Sequence, residues 1–533
     1  MQATAIRQRG PAGPLLLWAA GTLLAAPAAR AQLIFADGFE SGTLWNWTSS
    51  LGGPVLPPRI CTPPIGAVDT SGATVVGDGT PASCSEAAFD AALLTHNGAI
   101  RFDCGPSPHT IVFSSEKTIA VDLVIAGGGL VTLSGGGTTR ILALRPPFNV
   151  PRALTVQNLT FEDGYTGDLP GTNVDNGGAA IYRGPVGDLE VIDSIFRDNV
   201  GPATGQDVAG GAIYSRGSGT TTVVGSLFTG NRCSSGGALG NLANDLVVYN
   251  SMLTDNAATG TGGNPGNGGN GGGIYMDGND QTVAVCGTTI SDNDANAIGG
   301  GIFRVSNNGV GPMTIDRSTI SGNQIPANAT SQAGGLYLQG LQLTITNTTV
   351  SGNVASSAGG MFVWTNPGSQ TLNMTNVTVA ENHARTSLGA GMSVNSGITG
   401  TLSHVTIARN SQEGATSFAS ALAGGNGLTI RNSLIADNSK VFIWENTSCN
   451  ATHSGNGNVQ WPETNAGGQA ELACATVTFV DPLLGPLQGN GGTTRTILPA
   501  LPAVIGSVST NCASADQRGQ PRSAPCTPGA VEP

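Results

Sequence analysis

The chain has 533 residues, 80 of them glycine, with 11% charged side chains and a formal net charge of −12. That acidic balance, with lysine only at Lys117 and Lys440, argues against nucleic acid or an anionic membrane as partner, since both reward cationic side chains. The hydrophobic content of 39% is enough for a packed core, so the low charge does not signal disorder.

Arg7 and Arg9 precede an apolar run over residues 14–26, and Ala29-Arg30-Ala31 follows. A positive start, an apolar middle and a small-x-small end predict a secretory signal peptide over residues 1–31. The run is short for a membrane span, and no later stretch reads as a transmembrane helix. The expected localisation is therefore exported, either extracellular or at a cell surface. Residues 32–64 read as an N-terminal segment ending in a Pro-rich linker.

Nine cysteines in an exported chain predict disulfides. Local loop closure pairs Cys84 with Cys104, Cys449 with Cys474 and Cys512 with Cys526. An odd count leaves at least one thiol unpaired or intermolecular. No CxxC spacing is present, so no metal site and no cofactor is expected. After Cys84, the stretch "CSEAAFDAALL" (84–94) predicts a short amphipathic helix capping the open edge of whatever follows.

From residue 154 onward one phrase recurs ten times, for example VAVCGTTISDN (283–293), MTIDRSTISGN (313–323) and LTITNTTVSGN (343–353). Nine of the copies close on asparagine: Asn199, Asn231, Asn256, Asn293, Asn323, Asn353, Asn382, Asn410 and Asn438. A repeat of this length is the signature of a solenoid. Within each copy the apolar positions alternate, as at Leu343 and Ile345, which is strand periodicity. A second short strand precedes the phrase and opens on Gly-Gly: "GGAIY", "GGGIY", "GGGIF", "GGLYL", "GGMFV". Each repeat thus carries at least two strands and no helix. That excludes a leucine-rich repeat, and the repeat is too short for a four-stranded propeller blade. The predicted fold is an all-β, right-handed parallel β-helix of about ten or more turns, rising about 4.8 Å per turn. Equivalent residues then stack in columns, and the asparagines form a ladder. Asparagine suits that role because it tolerates a left-handed backbone and its amide both donates and accepts.

These phrases, together with "VGDGTPASCSEAAFDAALL" and "IAGGGLVTLSGGGTTRILAL", resemble right-handed parallel β-helix proteins of the pectin-lyase-like type. The resemblance covers residues 65–480, N-terminal cap included. Residues 481–533 carry "DPLL", "NGG" and "DQRG" in order and resemble the choice-of-anchor Q domain of bacterial surface proteins, although "ALPAVI" stands where that family has "GSPAID". That resemblance implies surface association. "LIFADGFESGTLWNW" (33–47) resembles a short segment found just after the signal peptide of other bacterial exported proteins.

Aligning the Gly-Gly strands places Tyr182, Tyr214, Tyr275, Phe303, Tyr337 and Phe362 in one column, interrupted by Gly240 and ended by Ser393. Alternation turns these rings away from the coil interior, where they can form a ribbon that stacks on sugar rings. Two plainer readings stand beside that one: the rings cover one another, or loops lie over them. Asp163 with Asp198, and Asp255 with Asp292, share a second column. They can act as paired carboxylates or calcium ligands, or simply form turns, since Gly230, Gly322 and Gly352 replace them elsewhere.

The pectin-lyase-like resemblance implies polysaccharide lyases and glycoside hydrolases as enzyme relatives. Asp277, Arg304, Arg183 and Arg216 lie near the Gly-Gly strands, but no compact catalytic group is legible. His96, His109, His383, His404 and His453 are scattered. Fold alone does not fix activity. The expected role is a rigid binding or adhesion rod, with polysaccharide or cell-surface glycan as the candidate partner. The alternatives are a polysaccharide lyase or glycoside hydrolase on the same scaffold, and a purely structural spacer.

Overall fold

A computed structural model describes residues 59–327, 331–415 and 418–533. The expected signal peptide and the segment at 33–47 lie outside these residues. The described chain winds as a parallel β-solenoid of about 13 turns. One representative turn shows how the sequence produces it. Val283 and Val285 point inward from the strand Val283–Cys286. Gly287, at φ 61°, bends the backbone into the strand Thr289–Ser291, which buries Ile290. Asp292, at φ 56°, makes the second corner just before Asn293. A loop then leads to the strand Ile302–Ser306. The recurring phrase is thus two strands joined at a corner, and with the two-residue strand Asp294–Ala295 this turn carries four strands rather than the minimum of two.

The strands of successive turns pair in parallel and in register. Ile290 lies beside Ile320, Ile320 beside Val350, and Val350 beside Val379. The two strands of the phrase belong to a 23-stranded sheet, and the Gly-Gly strands form an 11-stranded sheet running from Lys117–Ile119 to Leu422–Gly424. One apolar core from Val76 to Ala475 fills the coil. At its N-terminal end a helix, Glu86–Thr95, is capped by the Ser85 side chain, which accepts from the Ala88 N–H. Phe89 of that helix is fully buried and stacks on Phe102 and Phe113, closing the first turn.

The asparagine column is continuous. Nδ2 of each asparagine from Asn199 to Asn410 donates to Oδ1 of the next, at 2.8–2.9 Å over eight steps. The same Oδ1 also accepts the backbone N–H of the preceding asparagine, as from Asn293 to Asn323 at 3.1 Å. Asparagine is not placed in this column for its tolerance of a left-handed backbone, as the sequence suggested. The left-handed position is the residue before it, held at φ 55–69° through Asp198, Gly230, Asp255, Asp292, Gly322, Gly352, Glu381, Arg409 and Asp437. The ladder depends on the amide alone.

Four disulfides are present. Cys84–Cys104, Cys449–Cys474 and Cys512–Cys526 close local loops. Cys61–Cys286 spans 225 residues, a pairing that the local-closure rule did not reach. Cys233 is the free thiol, and burial pushes its pKa up to about 12. Cys61 and Cys286 lie close to the Asp316 carboxylate, a grouping of metal-ligand type. The two sulfurs are bonded to each other, and Asp316 is held by Arg317, Thr346 and Asn347.

The first and last segments of the described residues run as straps over one column of left-handed corners. From the N-terminal side, Arg59 pairs with Asp193, the Ile60 and Cys61 N–H groups donate to Asn250 Oδ1, and Arg317 donates to Ile60 O. From the C-terminal side, Asn376 Nδ2 donates to Ala515 O, the Ala513 N–H donates to His404 Nε2, and Asn432 Nδ2 donates to the carbonyls of Thr510 and Asn511. Residues 481–533 therefore lie along the flank of the coil. Burial first, then the Arg522 charge, lowers the His404 pKa to about 4. A folded-state value below the unfolded 6.5 means that stability is complete above about pH 6.5. It is lost as the pH falls toward 4, because the unfolded chain takes up the proton first. The expected result is a melting temperature that drops across this window, and a shallower drop in His404→Gln, read by thermal denaturation from pH 7 to 4.

Candidate functional site: an arginine cleft beside the aromatic column

The six aromatic residues do point away from the coil interior, but they are not a surface ribbon. Tyr182, Tyr214, Tyr275, Phe303, Tyr337 and Phe362 are at most 9% exposed. Together with Ala209, Ala333, Ala358, Ile298 and Leu388 they form a second apolar cluster outside the coil. The loops that lead into each Gly-Gly strand supply those covering residues. The rings also cover each other: Tyr275, Phe303, Tyr337 and Phe362 stack in sequence with centroids 5.2–5.4 Å apart. At Gly240 a Cβ would meet the Ala209 Cβ at 2.6 Å, so a covering residue takes the space of a ring there. Of the three readings of this column, the exposed glycan-stacking ribbon gives way to the two plainer ones: the rings cover one another and the loops lie over them in a buried seam. The ring faces are taken up by each other and by the loops, which stabilises the sheet.

The other expected candidates separate in the same way. Asp163, Asp198, Asp255 and Asp292 all sit at left-handed corners, φ 51–57°, where short polar residues are favoured. Arg183 and Arg304 are fully buried and point into the coil, so they cannot face a polymer outside it. Their guanidiniums bind backbone carbonyls, Arg183 those of Arg216, Gly217 and Ser218 on the next turn, and Arg304 those of Val305 and of Asn279 and Gln281 on the preceding turn. Burial brings both down to about 10, so they remain charged at neutral pH. Arg216 and Asp277 do face outward, two residues beyond Tyr214 and Tyr275.

Around the first tyrosine the structure gathers charges that the sequence reading missed. The Tyr182 hydroxyl donates to Asp175 Oδ1 at 2.8 Å, and Arg216 Nη1 donates to the same oxygen at 2.6 Å. The Arg145 guanidinium lies 4.5 Å from the Tyr182 ring centroid, and that of Arg140 lies 5.2 Å away, both in cation–π contact. Glu116 bridges the pair, 2.6 Å from Arg140 Nη1 and 3.2 Å from Arg145 Nε. Arg140 is locked, donating also to the carbonyls of Asp175, Gly177 and Gly178. The side chains of Arg145 and Arg216 keep 36% and 39% exposure. A cavity of about 240 Å³ opens at Glu116 and Arg140, and Tyr165 and Asp168 also line it.

The electrostatics do not prepare this group for proton transfer. Burial pushes the Glu116 carboxyl up, but Arg140 and Arg145 more than offset it and hold the group below the usual range. Burial, then Asp175, raises the Tyr182 phenol, so it stays a hydrogen-bond donor. Three guanidiniums, those of Arg140, Arg145 and Arg216, stand with three carboxylates, those of Glu116, Asp175 and the cavity-lining Asp168, so the formal charges balance.

Two turns along the sheet from Arg216 lies a second polar group. The Tyr275 hydroxyl donates to Asp207 Oδ1 at 2.9 Å, while Asn264 Nδ2 donates to Asp277 Oδ2 at 2.8 Å. Burial raises the Asp277 carboxyl, and Asp207 adds to the shift. One sequence signal for both groups was available: Asp175 and Asp207 each precede a column tyrosine by seven residues.

The family described as right handed beta helix region matches residues 272–458. No curated protein matches the chain. Among solved structures, the chain is similar to the A-module of the mannuronan C-5 epimerase AlgE6 from Azotobacter vinelandii. Identity is 12%, coverage is 73% of this chain and 99% of that one, and the TM-score is 0.32. Among the described residues, no helix is long and apolar enough to cross a membrane.

Proposed function

We propose that this chain is an exported rod that binds an acidic polysaccharide, with the sugar carboxylates held by Arg145 and Arg216. The observation that carries this reading is the pair of partly exposed guanidiniums, Arg145 against the Tyr182 ring and Arg216 sharing Asp175 with its hydroxyl, in a protein otherwise rich in negative charge. Guanidinium presents a planar fork that matches a carboxylate. The rigid stack of turns beneath the cleft fixes the two arginines without any ordering on binding. The four disulfides fit an extracellular setting. The flank-bound C-terminal segment belongs to the surface-association part of the same reading.

A glycoside hydrolase is the second reading, and the raised Asp277 carboxyl next to Asp207 favours it. One experiment separates the two. The intact protein is titrated with polyuronates while chain length and unsaturated ends are followed. Saturable binding without products is expected, and Arg145→Gln with Arg216→Gln should weaken it by about 10–100-fold, the loss of charge-assisted hydrogen bonds. Binding equal to wild type in that double variant overturns the proposal. Products from the polymer would move the function to the Asp207–Asp277 pair.

A further inference from the structure

The buried ring stack has one open end. Phe362 is followed two residues later by Trp364, whose ring lies 5.3 Å from that of Phe362 and 9° from parallel. Trp364 is 42% exposed, while every ring before it in the stack is covered. On the next turn Ser393 pairs with Phe362, so no ring continues the stack on that side. Polar side chains border the indole. Gln339 Nε2 donates to Asn366 Oδ1 at 2.7 Å, and Asn366 Nδ2 donates to Ser306 O at 2.7 Å, which holds both amides in place. An indole held flat by packing, open to water and edged by fixed amides, has the form of a platform for a sugar ring. The apolar C–H face of the sugar meets the π-system, and its hydroxyls meet the amides.

Trp364 also shares a row with the arginine cleft. The register runs Arg216, Leu242, Asp277, Val305, Gln339, Trp364 across consecutive strands of one sheet. Five strand spacings place Trp364 about 24 Å from Arg216. We propose that Trp364 is a second subsite of the same polysaccharide chain, stacking one pyranose ring while carboxylates several sugars away meet Arg216 and Arg145. This rests on the acidic-polysaccharide reading and extends it. The ligand is an extended polymer, because a short oligomer cannot touch both points. Joining two contacts through one ligand raises affinity without any new contact at either.

The test is calorimetric titration of the intact protein with oligouronates of increasing length, using wild type, Trp364→Ala, Trp364→Phe and Arg216→Gln. Affinity in wild type should climb once the oligomer spans both points. Trp364→Ala should remove the climb, weakening long oligomers roughly 5–10-fold and leaving short ones unchanged. Trp364→Phe should keep the climb, and Arg216→Gln should weaken oligomers of every length. A climb that persists in Trp364→Ala overturns the second subsite while leaving the arginine cleft intact. If no oligouronate of any length binds the wild type, the acidic-polysaccharide reading fails, and this proposal with it.

Discussion

Phe303→Ala is expected to destabilise the fold by about 3–5 kcal/mol, the range for truncating a buried aromatic ring. Phe303 is 2% exposed and lies between Tyr275 and Tyr337, at centroid distances of 5.3 and 5.2 Å. Its removal opens a hole in the seam between sheet and covering loops, and two rings lose a stacking face. The measurement is denaturant unfolding, with hydrogen exchange locating the loss in the turns around residues 275–337. A ring serving as a surface platform gives the opposite pattern: weakened ligand binding with unchanged stability. The same substitution therefore distinguishes the buried seam from the exposed ribbon that the alternation of the Gly-Gly strands suggested.

Asn323→Leu is expected to cost about 2–4 kcal/mol, although it replaces a buried polar side chain with an apolar one of similar size. Asn323 Oδ1 accepts from both the backbone N–H and the amide of Asn293. Its own Nδ2 donates to Asn353 Oδ1 and to Ile290 O. Leucine leaves the Asn293 N–H without a partner inside the coil, and an orphaned donor there costs its full desolvation. Asn438 ends the ladder and has no following asparagine to bond. Asn438→Leu breaks only the link from Asn410 and should cost less, and comparing the two melts gives the share of the one further link that Asn323 makes to Asn353.

What the sequence made legible follows from the solenoid's periodicity. A column of asparagines and a column of aliphatic side chains appear in any alignment of the phrases, because each must repeat at every turn to stack. The outward direction of the rings was legible for the same reason. Their covering was legible as one of the readings, but not the residues that do it, because Ala209, Ile298, Ala333, Ala358 and Leu388 lie in loops of unequal length with no shared phrase. The arginine cleft was missed because Glu116, Arg140, Arg145 and Asp175 come from the irregular early turns, before the repeat is established. Cys61–Cys286 was missed because its partners are brought together by a strap crossing several turns, which no local spacing encodes.

The N-terminal strap has a mechanical consequence. A pull applied ahead of residue 59 meets the covalent link at Cys61 and is delivered to Cys286. The strands from Thr74–Val76 to Asp245–Tyr249 lie inside that covalent loop, so they carry no load while the link holds. Under tension along the chain, the turns that form the arginine cleft are therefore shielded, and the work of resisting extension falls on the coil beyond Cys286, where the C-terminal strap is fastened.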